Sequence, residues 1–180
     1  INKKLRIQDF KVVSDVKVKD FNVKNQLKLK NIFPKIKNEF KFLNQNLKIN
    51  YSDKELSIDG SGEILFQDKK DEIRYSIQKK GKNYKFKSSL NIYNNPIIFE
   101  ILNYKNSFDN KAKLNISGIY DLNKRIILNS LSLKEKNNEF FIKNLVLDKK
   151  FKIIELDYLK LDYLDEEDQK NLIEIKKKNK

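Results

Sequence analysis

The chain has 180 residues, of which 39% are hydrophobic, so it can bury one ordinary core or form one segment of a longer protein. Its formal charge of +14 comes almost entirely from lysine, with arginine only at Arg6, Arg74 and Arg125, and arginine is the residue that binds phosphate and guanine in a forked geometry. Histidine and cysteine are absent, which excludes Ser-His and Cys-His nucleophile pairs, typical zinc sites and disulfides. We expect no enzymatic activity, no cofactor, no metal and no nucleic-acid partner.

Alternation of apolar and polar residues predicts β-strands from the beginning of the chain. It starts at Leu5 and Ile7 and continues with few interruptions. Near Phe10 and again near Phe21 the alternation shifts by one position, which indicates bulges or tight turns between short strands. Lysines occupy many of the alternate positions, so we interpret them as the water-facing side of strands rather than as a localised patch.

The alternation is clearest between residues 47 and 92, where short polar breaks separate the apolar runs. Short breaks join antiparallel neighbours, because parallel strands need a crossover of about a dozen residues or more. We therefore predict an antiparallel meander. Gly60 and Gly62 keep the parity of the apolar residues around them, so we expect one strand to run through both. Glycines inside a strand mark a bend, a bulge or close backbone approach, and we expect a strongly curved sheet.

The segments outside this stretch are less regular. Asn94–Pro96 is a turn signal, and Ile97–Tyr104 fits either a strand buried on both faces or a short helix. Phe40–Leu43 fits a strand or a single helical turn. Alternation returns at Leu114 and lasts almost to the end, which suggests about twelve to fifteen strands in all. No change in composition marks a boundary, so we treat residues 1–180 as a single β-rich segment of a longer protein.

Three short motifs could be read as chemical sites. Gly60-Ser61-Gly62 resembles the start of a phosphate loop but lacks a Gly-Lys-Ser/Thr ending, so we favour a bend. The acidic run Asp165–Asp168 lacks the spacing and central glycine of a calcium loop and predicts a charged turn. Asp53 and Asp59 could act as acid and base, but we interpret them as ordinary charges at strand ends.

The apolar face of the predicted sheet has to be covered in the folded protein. About ten strands would present roughly 1,000 Å² of apolar surface, whereas soluble monomers rarely expose a contiguous patch beyond a few hundred Å². A sandwich or closed barrel would bury this face as core, and an outer-membrane barrel would turn it towards lipid. A curled, open sheet would instead hold lipid acyl chains in its groove. One long chain would contribute on the order of 10 kcal/mol of gross burial, at about 0.8 kcal/mol per methylene.

The candidate groove-lining residues are the apolar members of the central alternation. In a closed sandwich the same side chains would form an ordinary core. They are Leu56, Ile58, Ile64, Phe66, Ile73, Tyr75, Ile77, Tyr84, Phe86, Leu90, Ile92, Leu114 and Ile116.

Three segments resemble the repetitive β-rich body of the large AsmA-like envelope proteins of Gram-negative bacteria, in a lysine- and asparagine-rich version. They are Asn50–Gly62, Asp71–Gly81 with the following Tyr84–Phe86, and Leu102–Lys105. The resemblance implies a periplasmic bridge, anchored in the inner membrane, with a long taco-shaped β-groove that carries phospholipids between the inner and outer membranes. It supplies no catalytic residue, and the family's N-terminal membrane helix is missing from this sequence.

The leading hypothesis is therefore a segment that shields phospholipid or other acyl chains in a hydrophobic β-groove, with membrane contact made by other parts of the full-length protein. A second hypothesis is a structural or adhesive β-sandwich without a ligand. A third is a polyanion-binding surface on the basic part from Lys3 to Lys48, where acidic residues are few.

Overall fold

The computed structural model describes residues 10–25, 29–30, 32–106, 111–121 and 125–178. Within these ranges the regular structure is twelve β-strands and one short 3₁₀ helix, Glu100–Leu102, with no α-helix. The all-β class predicted from the sequence is confirmed, while the alternation at Leu5 and Ile7 lies outside the described residues. The strands are β1 (Lys11–Lys24), β2 (Glu39–Ser52), β3 (Glu55–Leu65), β4 (Lys70–Lys80), β5 (Asn83–Ile92), β6 (Ile98–Phe99), β7 (Tyr104–Lys105), β8 (Ala112–Tyr120), β9 (Ile126–Glu135), β10 (Asn138–Leu147), β11 (Ile153–Leu164) and β12 (Lys170–Lys176).

Ten of the strands form one antiparallel meander in the order β1-β2-β3-β4-β5-β8-β9-β10-β11-β12. The sheet is not closed, because within the described chain β1 pairs only with β2, and β12 only with β11. The remaining pair, β6 and β7, forms a separate two-stranded sheet inside the connection between β5 and β8. The predicted meander is confirmed.

The register of the strands places the alternating apolar residues on one side of the sheet, which we call the apolar face. Ile58 lies opposite Ile77, which in turn lies opposite Phe86. Leu90 lies opposite Leu114 in the same way. Successive side chains of a strand point to opposite faces, so lysine, serine and asparagine fill the other side, the polar face.

Gly60 and Gly62 lie within one continuous strand, β3, as predicted. The ring of Tyr75 occupies the space that a Cβ atom at Gly60 would need, and the side chain of Gln45 does the same at Gly62. These glycines therefore mark close approach of neighbouring groups, one of the roles expected for them.

One expectation about the first strand is wrong. The slip near Phe21 indicated a bulge or a tight turn between short strands, but β1 is a single strand of 14 residues, so the turn is wrong. The change of parity arises beside a bulge in β2 at Asn44, whose φ is 51°. Because Val18 still pairs with Gln45 and Asp20 with Leu43, β1 follows β2 through this irregularity without a turn.

The two ambiguous segments take different forms. Phe40–Leu43 lies inside β2 and is a strand. Ile97–Tyr104 is neither of the predicted alternatives alone, because it contains the two-residue strand β6, the 3₁₀ helix and the start of β7. Asn103 ends the 3₁₀ helix in the left-handed region, with a φ of 47°.

Candidate functional site

The apolar face has one covered end and one open end. The described residues of the connections 29–38 and 93–106 lie at the end where β2 begins and where β3 and β5 end, which we call the covered end. They contribute Phe33, Ile36, Ile97 and Tyr104 to the core. The complete buried cluster is Phe33, Ile36, Ile64, Phe66, Ile73, Ile92, Ile97, Tyr104, Ala112, Leu133, Phe140 and Tyr163.

Hydrogen bonds join the two covering connections to each other. The backbone N–H of Ile98 donates to the carbonyl oxygen of Ile32 at 2.9 Å. The buried side chain of Gln67 links both segments, since its amide donates to the Pro96 carbonyl at 2.9 Å and its oxygen accepts from the Lys35 N–H at 3.2 Å. The cover is therefore built as one unit and not as two independent loops.

A buried carboxylate, Asp71, holds the second connection against the sheet. It accepts from the backbone N–H groups of Tyr93 and Asn94, at 2.8 and 3.0 Å, and from the side-chain amide of Asn95 at 2.6 Å. Burying a carboxylate is costly unless its oxygens accept several hydrogen bonds, and these donors satisfy that requirement.

Aromatic rings fill the other half of the covered end. Tyr104 packs edge-on against Phe140 and Tyr163, with ring centroids 4.8 and 5.8 Å apart. Its hydroxyl donates a hydrogen bond to the buried carboxylate of Glu135. Burial raises the pKa of Tyr104, and the bond to Glu135 raises that pKa further. The covered end is thus an ordinary, tightly packed core.

The open end carries apolar side chains that no described segment covers. The outermost row of the apolar face crosses the sheet from β2 to β11, and its register partners in order are Tyr51, Leu56, Lys79, Tyr84, Tyr120, Ile126, Leu147 and Ile153. Tyr51 is 47% exposed and Ile153 is 66% exposed. The next row inward is Ile49, Ile58, Ile77, Phe86, Gly118, Leu128, Leu145 and Leu156.

The structure divides the sequence-predicted groove residues among these environments. The buried ones, at the covered end, are Ile64, Phe66, Ile73 and Ile92. Those packed against the core while partly exposed are Tyr75, Leu90 and Leu114. Those nearer the middle and open end are the half-buried Leu56, Ile58, Phe86 and Ile116 and the exposed Ile77 and Tyr84. The register places the strand residues of this set on one face, with Phe66 following β3 directly.

The prediction omitted the parts of the apolar face that β2 and β9 to β12 provide. Leu128, Leu145 and Leu156 continue the second row, and Ile173 and Ile175 on the edge strand β12 are 40% and 51% exposed. Their period-two alternation in the sequence is as clear as that of the central stretch, so the same signal identifies them.

The polar face carries several open depressions. One of about 760 Å³ is lined by Asp15, Lys17, Lys48, Asp59 and Arg74, among other residues. Three smaller ones, of about 460, 490 and 380 Å³, follow one another along β4, β5 and β8 and also touch β3 and β9. Small serine side chains between long lysines leave this space, whereas bulky apolar residues fill the opposite face.

An ion-pair network occupies the polar face of β9 to β12. Glu139 lies 2.9 Å from the Lys134 ammonium and 3.4 Å from that of Lys160, which is also 3.2 Å from Asp162. Lys170 pairs with Asp162 as well. Hydrogen bonds from lysine hold the pKa of both carboxyls below their ordinary values, chiefly Lys134 for Glu139 and Lys170 for Asp162.

The three short motifs occupy unremarkable positions. Gly60-Ser61-Gly62 lies inside β3, and Asp53 lies in the turn before this strand, as expected for a charge at a strand end. Asp59 is instead an exposed residue within β3. Asp165 accepts hydrogen bonds from the backbone N–H groups of Glu167 and Gln169, and so shapes the turn before β12. In the described part of the chain no group of three or more acidic side chains has the arrangement of a metal site.

Comparison with known proteins adds no relative. No protein-family model, no curated protein and no solved structure matches this chain significantly. The described residues also contain no helix long and apolar enough to cross a membrane. The surface geometry of the sheet is therefore the basis for the proposals that follow.

Proposed function

We propose that this sheet is a segment of a lipid-binding β-groove that shields the acyl chains of phospholipids during transfer between membranes. The observation that supports it best is the open end of the apolar face. There two rows cross eight strands without cover by any described segment, and they consist of leucine, isoleucine, phenylalanine and tyrosine except at Lys79 and Gly118. An exposed apolar patch of this continuity is typical of an interaction surface.

In this proposal the sheet curls around the apolar face. Gly60 lies beneath the ring of Tyr75, and Gly118 beneath the ring of Phe86, so each of two neighbouring strand pairs combines a glycine with a cross-strand aromatic residue. Glycine positions and bulges are the usual means of bending a sheet, and a bulge lies in β2 at Asn44. A curl at these positions would bring the two edges closer and deepen a groove.

The covered end would close this groove on one side. The core built by connections 29–38 and 93–106 fills the apolar face from the end of β3 inward, so acyl chains would enter only from the open end. The exposed tyrosines Tyr51, Tyr84 and Tyr120 of the outermost row suit the boundary between acyl chains and water, because each has an apolar ring and a polar tip.

The proposed setting comes from the resemblance to AsmA-like proteins. The chain would be part of a longer protein, anchored in the inner membrane, whose β-rich body lies in the periplasm and bridges to the outer membrane. The role is one of binding and carriage, with no bond made or broken. The groove would recognise acyl chains by burial alone, at about 0.8 kcal/mol for each methylene removed from water.

The second candidate, a structural or adhesive β-sandwich without ligand, is favoured by the covered end itself. There the chain already buries its own apolar face beneath β6, β7 and the connection 29–38. A sandwich requires equivalent cover over the rest of the sheet, for example by another part of the full-length protein.

The deciding experiment is native mass spectrometry of the protein purified without detergent, followed by solvent extraction and identification of bound lipid. Ile77→Asp places a charge in the second row of the open end, where the side chain is 38% exposed. Gln78→Asp is the matched control, because it puts the same group on the next residue of β4, which faces the polar side.

We expect near-stoichiometric phospholipid in the unmodified protein and in Gln78→Asp, and loss of most of it in Ile77→Asp with strand content unchanged in circular dichroism. A lipid-free, monodisperse and stable protein would refute the groove and favour the sandwich. If Ile77→Asp unfolds while the unmodified protein and Gln78→Asp stay folded, this position is part of the core, which also favours the sandwich.

A further inference from the structure

The middle of the polar face carries a second surface with distinct chemistry. Two adjacent rows of register partners cross β3, β4, β5, β8 and β9 there. The first row is Ser61, Arg74, Ser89, Asn115 and Ser132, and the second is Asp59, Ser76, Lys87, Ser117 and Ser130. Apart from Asp59 at the edge, each row has one cation among hydroxyl and amide groups. We call this surface the serine trough.

The trough is a continuous depression. Its middle part, about 490 Å³, is lined by Arg74, Lys87, Asn115 and serines, with Tyr75 and Ile116 between them on the strands. It shares Arg74 and Ser89 with a depression of about 380 Å³ on one side, and Ser76, Lys87 and Ser117 with one of about 460 Å³ on the other. The three depressions follow one another along β4, β5 and β8, so a ligand in them would be long and narrow and would lie along these strands.

The cations of the trough have no carboxylate partner among the described residues. Arg74, Lys85, Lys87 and Lys113 border it and are all exposed, and none belongs to an ion pair there. This contrasts with the network on β9 to β12, where lysines and carboxylates neutralise one another. Unpaired cations beside a narrow depression favour a negatively charged ligand.

Three acidic residues lie at the margin, one of which is Asp59, at the β3 end of the second row. Glu63 is 3.2 Å from the Lys70 ammonium, which offsets its charge. Glu72 accepts a hydrogen bond from the Asn91 side chain at 3.2 Å. The four unpaired cations outnumber these carboxylates, so the net charge along the depression is positive.

The floor of the trough distinguishes between kinds of polyanion. Ser117 and Ser130 lie within hydrogen-bonding distance of each other, with their oxygens 2.8 Å apart, and the other serines and Asn115 offer further donors and acceptors. Tyr75 and Phe86 also border the depressions, but their rings contact Phe42 and Gly118 on the apolar face. Unstacked bases would therefore find no ring in the trough to stack on. A membrane surface is planar and would not need a depression. Hydroxyl-rich sugars with acidic groups match both the floor and the flanking cations.

We propose that the serine trough binds an acidic polysaccharide chain, whose sulfate, phosphate or carboxylate groups contact Arg74 and Lys87 while its hydroxyls hydrogen-bond to the serine floor. This proposal goes beyond the lipid groove, because it uses the opposite face of the sheet. Either can fail without the other.

The test uses dextran sulfate oligosaccharides as the probe and neutral dextran of the same length as the reference, with binding measured by isothermal titration calorimetry. The trough variant is Arg74→Gln with Lys87→Gln. The matched control is Lys54→Gln with Lys149→Gln, which removes the same charge from two exposed turn positions outside the trough. Thermal unfolding checks that both variants stay folded, and Arg74→Gln alone is available if the double variant does not.

We expect dextran sulfate to bind and neutral dextran not to bind. The trough variant, which lacks two exposed charge contacts, loses about tenfold in affinity, or about 1.4 kcal/mol. The control variant keeps its affinity. The affinity for dextran sulfate falls as the salt concentration rises. The slope of log affinity against log salt concentration is shallower in the trough variant, by about one for each contact removed.

Equal losses in the trough and control variants would overturn the proposal, because they would show attraction to net charge alone. Absence of binding to dextran sulfate would also overturn it. Tighter binding to an oligothymidylate would assign the trough to nucleic acid instead, and tighter binding to phosphatidylglycerol vesicles that depends on Arg74 and Lys87 would assign it to a membrane surface. Vesicle binding that depends only on Ile77 would belong to the groove.

Discussion

Replacing two isoleucines by alanine, one at each end of the apolar face, should separate the covered core from the open surface. Ile97 lies in the covering connection and is 0% exposed, whereas Ile77 lies at the open end and is 38% exposed. Both changes remove the same atoms. The difference in their cost therefore reports how completely each site is enclosed.

The magnitudes follow from burial. Ile97→Ala removes about three methylene-sized groups worth about 0.8 kcal/mol each and leaves an enclosed cavity, so we expect a loss of about 2–5 kcal/mol in the free energy of unfolding. Ile77→Ala removes the same groups from a side chain only about six-tenths buried, and solvent can fill the space. We expect a loss of about 1.5 kcal/mol or less there.

Urea unfolding followed by far-UV circular dichroism measures both values, since the chain has no tryptophan to report by fluorescence. The slope of the unfolding free energy against urea concentration should be the same in both variants and the unmodified protein. The difference in urea midpoint then gives the difference in stability. A cost below about 1 kcal/mol for Ile97→Ala, or equal costs at the two sites, would refute the division into covered and open ends.

Other substitutions test separate parts of the fold. Gly60→Ala should destabilise by about 1–3 kcal/mol because its Cβ would collide with the Tyr75 ring, and in a Tyr75→Ser background the same change should cost little or nothing in thermal unfolding. Asp71→Ala should lose about 2–4 kcal/mol, as several donors of the covering connection are left without a partner, and hydrogen exchange should rise first in residues 93–95. The pKa values of Glu139 and Asp162 are depressed from 4.5 and 3.8, so their contribution to stability is complete above these values and is lost as pH falls below them. The unfolding midpoint should drop on acidification in that range, and less so in the double variant Glu139→Gln with Asp162→Asn; an identical drop would contradict the assignment.

Much of the sheet follows from alternation alone. The strand through Gly60 and Gly62 and the short connections of the meander were both predictable, because a half-buried strand must alternate and short connections permit only antiparallel neighbours. The acidic run was also interpreted correctly, since Asp165 shapes a turn, whereas Gly60-Ser61-Gly62 lies inside a continuous strand.

The candidate site was predictable only in part. Alternation assigned Ile64 and Ile77 to the same face, but it could not show that connections distant in sequence bury Ile64 and leave Ile77 exposed. The irregular connection around Ile97 shows why, since its short apolar run fits several conformations and its form depends on contacts with Ile32 and Gln67. Such contacts join residues far apart along the chain, and no local pattern encodes them.

The amino-acid sequence by itself determined the β-class, the antiparallel order and the segregation of apolar and polar residues to two faces, because these depend on period-two alternation and connection length. Only the tertiary structure decided where the apolar face is covered and where it is open. It also decided that Arg74 and Lys87 border one serine-lined depression. The physical reason is that burial and charge pairing depend on which strands become neighbours, and a sheet brings together side chains that are many residues apart in the chain.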